Sequence, residues 1–508
     1  MSVTLHHGDA LAVLRTMPDC SIDAVVTDPP YGLAEHKPAT IVAAMTAWCC
    51  GDRDHVPDGR GFMGRAWDAF VPPPAVWDEC LRVLRPGGHL LAFAGSRTAD
   101  LMGLSVRLAG FEIRDTITWH YGSGFPKSLD VSKAIDKAAG AEREVVGHRR
   151  SEGGRTTAPG AEGQEGGHGH ASPVVQITAP ATDAARQWSG WGTALKPASE
   201  PIIVARKPLT GTVAACVLAH GTGALNIDGC RVAHASAADL AESQAKNPGR
   251  DDVVTSEVYG AGRPQQSVNT AGRWPTNAIF VHAPECGPDE APGESVDGCP
   301  VAELDEQSGI RRAGERPAKR AGMGFDEENG TRNRSGTAGE RVVLDSGGAS
   351  RFFPTFRYQA KAPTKERPKV DGVAHPTVKP LALMRWLVRL VTPPGGTVLD
   401  CFAGSGTTGE ACVLEGFDVI LIERESAFLP LIAHRLGDGL EVVEYADEVE
   451  EIPAPDPEPV DPVLQAIHEA ELTRAAFNAL HREHRLVWTD AHTAAARARL
   501  DAAGVVRR

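Results

Sequence analysis

An α/β fold is predicted by three features of this 508-residue chain. Strand-like and helix-like runs alternate over the first 135 residues, the alternation returns at 381–422, and a Gly-rich turn joins a strand to a helix at 400–409. The run 22–27 is β-branched and stops at Asp28-Pro29-Pro30, as a buried strand closed by a turn does. Val76, Cys80, Val83 and Leu84 have helical spacing before the breaker Arg85-Pro86-Gly87-Gly88, and 89–94 reads as the next strand. A helix over 99–109, Gly110 and a strand over 111–119 repeat the unit. Far along the chain come a helix over 381–391, Pro393-Pro394-Gly395-Gly396, a strand at 397–400, a helix at 407–415 and a strand at 419–422.

Between these two α/β segments the composition changes. The stretch 148–173 is dominated by Gly, Ser, Ala and charge, too little apolar surface to repay its ordering entropy, so disorder is expected near 148–180. Structure is expected to resume near Trp188, with short strands at 201–205 and 277–281. Residues 441–462 read as an acidic, Pro-rich extended linker and 463–508 as a helical tail. A length of 508 residues with 54 Gly and 37 Pro exceeds one compact core and predicts several folded units with long loops.

No apolar run is long enough for a membrane helix and the N-terminus has no readable secretory signal, so a cytoplasmic protein with no membrane partner is expected. The ten cysteines include no C-x-x-C pair and form no disulfide framework. Cys216, Cys230, Cys286 and Cys299 leave a four-thiolate zinc site conceivable, but short knuckle spacings are missing and no metal is expected.

The net charge of −14 is uneven. Between Asp438 and Asp461 there are ten Asp or Glu and no Lys or Arg. From Arg311 to Lys369 fourteen basic residues face seven acidic ones, an excess that suits either a phosphate backbone or a solvated basic loop.

Two motifs carry chemistry. The turn Asp400-Cys401-Phe402-Ala403-Gly404-Ser405-Gly406-Thr407-Thr408-Gly409 fits G-x-G-x-x-G, where glycines let the backbone approach a ligand and helix amides point at it. Glu423, at the end of the following strand, is placed to accept hydrogen bonds from both hydroxyls of a ribose. An adenosine-containing cofactor follows. The second motif is Asp28-Pro29-Pro30-Tyr31. The Asp28 carboxylate and the Pro29 carbonyl are two acceptors for the hydrogens of an exocyclic NH2, the prolines stiffen the chain, and Tyr31 offers a face for stacking. Such hydrogen bonds favour a tetrahedral nitrogen and localise its lone pair for attack on a methyl sulfonium. The alternative is ordinary turn chemistry.

With the His375-Pro376-Thr377-Val378-Lys379-Pro380 segment between them, these motifs resemble the beta group of S-adenosylmethionine-dependent DNA amino methyltransferases, over about residues 3–135 and 350–436. The resemblance implies a Rossmann-like, circularly permuted fold with a seven-stranded, mostly parallel sheet. It implies a catalytic half over 1–139, an inserted target-recognition region over 140–345 and an S-adenosylmethionine-binding half over 346–440. Only 27 residues precede Asp28, too few for a Gly-rich cofactor half, so that half must come from the far end of the chain.

Residue by residue, the resemblance implies catalytic roles for Asp28, Pro29, Pro30 and Tyr31. It places S-adenosylmethionine against Asp9, Asp400, Phe402, Gly404, Ser405, Gly406, Thr407, Thr408, Glu423, His375, Thr377 and Lys379. Lys127, Lys361, Lys365 and Arg367 are candidates for contact with double-stranded DNA, and Trp188, Trp191, Lys196 and Trp274 for target recognition, with core packing or solvated loops as the competing readings. Trp67-Asp68 lies in a loop that could help cover the base pocket. Asp rather than Ser at position 28 favours adenine N6 over cytosine N4, and a flipped base is required. A cognate restriction endonuclease is a possible partner. A nicotinamide oxidoreductase would use the same glycines and Glu423 but leaves Asp28 to Tyr31 without a purpose.

Overall fold

Every position of Ile22–Thr27 is buried, the pattern of a parallel strand covered on both faces, and this strand stands near the middle of the principal sheet. The computed structural model describes residues 2–61, 64–121, 128–150, 174–234, 240, 270–282, 286, 299–309, 311–312, 346–347, 349–356 and 367–445. Of the acidic linker expected at 441–462, residues 441–444 lie in a strand, and the remainder beyond 445, with the helical tail expected at 463–508, lies outside the described residues.

Ten strands make the sheet: β1 (Val3–His7), β2 (Ile22–Thr27), β3 (Leu84–Phe93), β4 (Glu112–His120), β5 (Ser199–Arg206), β6 (Ala278–Val281), β7 (Thr355–Phe356), β8 (Thr397–Asp400), β9 (Asp418–Glu423) and β10 (Leu440–Glu444). Their spatial order is β7-β6-β4-β5-β3-β2-β8-β9-β1-β10. Among these strands only β5 runs antiparallel, between β3 and β4. The seven central strands are the mostly parallel sheet expected, with β10 added at one edge and β6 and β7 at the other.

Alternate residues of each central strand face opposite helical layers. Ala24 and Val26 pack with α5 (Leu381–Val391), α6 (Thr407–Glu415) and α7 (Leu429–Leu436). Val25 packs with α1 (Ala10–Thr16), α2 (Pro74–Val83) and α3 (Ala99–Leu108). The period of two that separates these sets is the pleat of the strand.

The middle of the chain contributes to the main sheet: within 140–345, β5 stands between β3 and β4 and β6 lies beyond β4. Order also returns before Trp188: Val174–Thr178 pairs antiparallel with Val145–Arg150, and a helix follows at Asp183–Gln187. The apolar content there is as low as the sequence shows, and a buried carboxylate compensates. Asp136 accepts from the Ala181 and Thr182 amides at 2.9 and 3.0 Å, from Thr182 Oγ1 at 2.8 Å and from Arg143 at 2.5 Å. Charge-assisted bonds of this kind order a segment that hydrophobic burial cannot.

Candidate active site

β2 and β8 are hydrogen-bonded neighbours, so the two chemical motifs, which follow their C-terminal ends, emerge side by side. Ligands of open α/β sheets bind at this edge. Thr27 and Asp400, 373 positions apart, meet there: Thr27 Oγ1 donates to Asp400 Oδ1 at 2.6 Å. Asp400 also accepts from Thr408 Oγ1 at 2.5 Å and from the Phe402 amide at 3.1 Å. Burial raises its pKa to about 6, against the pull of those donors. Asp400 and Thr408 thus brace the turn, while Ser405 and Thr407, both buried, share a 3.2 Å hydrogen bond.

Gly404 has φ +55°, and a Cβ there would lie 3.0 Å from His375 Nε2. The His375 ring is fixed by Nδ1 donating to the Thr377 carbonyl at 2.5 Å and by edge contact with Phe428 at 4.4 Å between centroids. Burial lowers its pKa. Glu423 accepts from the Gly404 amide at 2.7 Å through Oε2 and from the Glu425 amide at 2.8 Å through Oε1. Burial nevertheless pushes its pKa up to about 7. Asp9 is exposed and caps α1, accepting from the amides of Leu11 and Ala12 at 3.0 and 3.2 Å.

Lys379 does not join the glycine turn. Its Nζ lies 2.5 Å from Asp28 Oδ2 and 3.6 Å from Glu200 Oε2, above the rings of Phe93 and Tyr31 at 4.8 and 5.2 Å. Burial opposes its charge, but the Asp28 and Glu200 carboxylates outweigh burial and raise its pKa. The other Asp28 oxygen, Oδ1, is buried with no hydrogen-bond partner among the described residues. Tyr31 donates its hydroxyl to Glu200 Oε2 at 2.9 Å, and its pKa is raised by burial and then by the charges of Asp28 and Glu200. Tyr121 donates to Glu200 Oε1 at 3.4 Å.

The main chain after Asp28 is clamped. Asp68 Oδ1 accepts from the Tyr31 and Gly32 amides at 2.8 and 2.9 Å, Asp68 Oδ2 from Leu33 at 3.3 Å, and Thr98 Oγ1 donates to the Tyr31 carbonyl at 2.6 Å. Glu200, Tyr121 and Thr98 are site residues the sequence does not announce. Glu200 reaches this edge because β5 runs antiparallel, so its start lies beside the ends of β3 and β4. Asp68 sits in the expected covering loop but works as a backbone anchor.

Of the predicted DNA contacts, Lys127, Lys361 and Lys365 lie outside the described residues; Arg367 is half-buried. Trp188, Trp191 and Trp274 are exposed, the last two by 60% and 61%, which removes the core reading. Lys196 is exposed as well. Trp188 and Trp191 meet edge to face at 5.0 Å, and the Arg231 guanidinium lies 5.5 Å from the Trp274 ring centroid. Among the described residues no helix is long and apolar enough to cross a membrane.

A family model described as DNA methylase, of the N6/N4 type, matches residues 181–434, a range that holds His375, Lys379, the glycine turn and Glu423 and begins after Asp28. The type II methyltransferase M.BglI of Bacillus subtilis is 46% identical over 57 residues, 11% of this chain and 16% of that relative's length. Among solved structures, the Thermus thermophilus protein TTHA0409, a putative DNA modification methylase complexed with S-adenosyl-L-methionine, is 16% identical, covering 87% of this chain and 99% of that one with a TM-score of 0.33. The cytosine-N4-specific PvuII DNA methyltransferase is 13% identical, covering 86% and 88%, with a TM-score of 0.35.

Proposed function

This chain belongs to the N6/N4 DNA methylase family, whose model spans half its length, and we propose on that basis that it transfers a methyl group from S-adenosylmethionine to an exocyclic base amine in double-stranded DNA, at adenine N6. One observation carries the reading. Asp28 presents at the sheet edge a buried Oδ1 that no donor among the described residues meets, while Lys379 balances the charge on Oδ2. A buried acceptor without a donor is costly, and a planar aromatic NH2 supplies the donor.

The cofactor residues fit the group the family implies. Gly404 leaves open the space a side chain would fill beside His375, and Gly406, also left-handed at φ +78°, starts α6 with its amides toward the turn. Glu423 holds one backbone amide on each oxygen and keeps acceptor capacity for two ribose hydroxyls; burial raises its pKa against the pull of those two amides. When bound, S-adenosylmethionine supplies an electrophilic methyl group on a sulfonium. Asp28 Oδ1 and the Pro29 carbonyl orient the amine and localise its lone pair; Asp28 or solvent takes the proton that the nitrogen sheds. Asp68 and Thr98 keep the acceptors from moving during transfer.

The target base is flipped to this edge. Exposed Trp188, Trp191 and Trp274 and the basic stretch at 311–369 support a DNA surface in the middle of the chain. Adenine follows from Asp at position 28, in line with the family resemblance of the Asp28 to Tyr31 motif. The same reading includes the permuted order of halves, a cytoplasmic setting and a restriction-modification context with a cognate endonuclease.

Mixed-sequence DNA incubated with methyl-labelled cofactor and then hydrolysed tests the proposal. Label is expected in N6-methyladenine. Label in N4-methylcytosine would correct the base; label in 5-methylcytosine, or in protein alone, would refute the activity.

A further inference from the structure

At the far side of the sheet a second cluster of chemically competent groups has no part in methyl transfer. His282 follows β6, Cys286 comes four residues later, and Cys299 caps α4 (Pro300–Ser308). One donor atom from each, His282 nitrogen and the two sulfurs, lies within 4.8 Å of the others. Cys216 and Cys230 take no part: Cys216 Sγ contacts the Pro86 carbonyl at 3.1 Å and Cys230 packs against Trp386. The four-thiolate arrangement that the cysteine spacing left conceivable is therefore replaced by a mixed histidine and thiolate set.

The geometry points to a structural zinc site formed by His282, Cys286 and Cys299. Three observations converge on it. A tetrahedral zinc bound at about 2.3 Å to sulfur and about 2.0–2.1 Å to nitrogen holds those two donors roughly 3.6 Å apart. Cys299 Sγ and His282 Nδ1 are 3.6 Å apart. The donor set is also selective, because two thiolates with one imidazole suit zinc better than the hard cations that prefer oxygen.

The third observation is energetic. The apolar cluster around this site has only Cys299 and Val301 fully buried, with Phe280, Cys286 and Ala302 partly so. So small a core contributes little stability, and domains in that position use a metal as a cross-link. The ion would tie the end of β6, fixed by the His282 amide bonding the Phe356 carbonyl at 2.9 Å, to the start of α4. β6 lies beyond β4, β5 and β3 from β2, roughly 19 Å by strand spacing. The zinc is consequently a structural ion, and a fourth donor, water or protein, completes it.

Elemental analysis of the purified full-length chain is expected to show about one zinc per chain, falling at least about fivefold in Cys286→Ser and Cys299→Ser and unchanged in Cys216→Ser. Thiol alkylation of the unsubstituted protein, mapped by mass spectrometry, keeps the test independent of variant folding. Cys286 and Cys299 should be protected until a chelator is added, whereas exposed Cys20, Cys49 and Cys50 react in either case. A metal-free chain that takes up no Zn2+ on titration would overturn the site. So would chelator-independent alkylation of Cys286 and Cys299, or a reducible Cys286–Cys299 disulfide without zinc.

Discussion

Lys379 Nζ and Asp28 Oδ2 are 2.5 Å apart although 351 positions separate the two residues in sequence. Lys379 is almost wholly enclosed, with a side chain 10% exposed against 22% for Asp28. The contact joins the Asp28 turn to the segment leading into α5 and leaves Asp28 Oδ1 outside the ion pair. Lys379→Met should lower stability by about 2–3 kcal/mol, the penalty of a stranded buried charge discounted for the partial exposure of Asp28. Adding Asp28→Asn should recover part of that loss. Denaturant midpoints of the two single variants and the double variant measure the coupling, and strictly additive losses would mean the pair is not coupled.

Asp28→Ala alone should keep cofactor affinity and reduce transfer at least about 100-fold, the usual cost of losing a group aimed at developing charge. Calorimetry paired with a transfer assay separates binding from chemistry. Undiminished transfer would remove Asp28 from the mechanism.

Asp68 holds the three consecutive amides of Tyr31, Gly32 and Leu33. Asp68→Ala should cost about 2 kcal/mol of stability, because hydrogen bonds to a charged acceptor are lost and buried amides are stranded. Transfer should fall while cofactor affinity stays near its original value. An equal loss of cofactor affinity would show that the anchor supports the whole edge rather than the Tyr31 main chain.

Glu423 gives a pH dependence with a definite sign. With its pKa pushed up to about 7 by burial, the carboxyl is protonated below that pH in the ligand-free protein. Ribose hydroxyl donors favour the carboxylate, so binding releases a proton in this range and cofactor affinity should fall as pH drops from about 8 to about 6. Glu423→Gln should weaken binding about tenfold and flatten the profile. Calorimetry in buffers of different ionisation enthalpy reads the proton directly; a flat profile in the unsubstituted protein would exclude this linkage.

Gly404→Ala should weaken cofactor binding. The new methyl would sit 3.0 Å from His375 Nε2 on a backbone at φ +55°, a conformation costing about 1–2 kcal/mol for an L-residue. Pairing it with His375→Ala relieves the crowding but not the strain, so the double variant should bind better than Gly404→Ala and worse than His375→Ala. Equal affinity of the double variant and Gly404→Ala would show that His375 is not the obstacle.

The elements that the sequence announces are those specified by neighbours a few positions away. The helix at 381–391, the strand at 397–400 and the helix at 407–415 have apolar spacing bounded by Pro and Gly, and each appears within those limits. The approach of the Asp28 turn to the glycine turn is legible for a different reason: the resemblance rests on both motifs together, and the strands that carry them are neighbours in the sheet. Glu200 is not legible. Its place depends on β5 entering antiparallel between β3 and β4, a pairing with residues about a hundred positions earlier that no local period encodes. His282 escapes notice because the cysteine spacings suggest thiolates alone, and the imidazole that completes the trio is set by the end of β6.

The position of β1 has a consequence for how the protein is made. Val3 leaves the ribosome 416 positions before its β9 partner Val419, and the other sheet neighbour of β1, β10, follows later still. At about 5–20 residues per second, translation needs roughly 20–80 s to deliver them. During that interval β1 has two open edges, a state that invites aggregation. Cellular yield should therefore respond to elongation rate and chaperone supply more sharply than equilibrium stability alone would suggest.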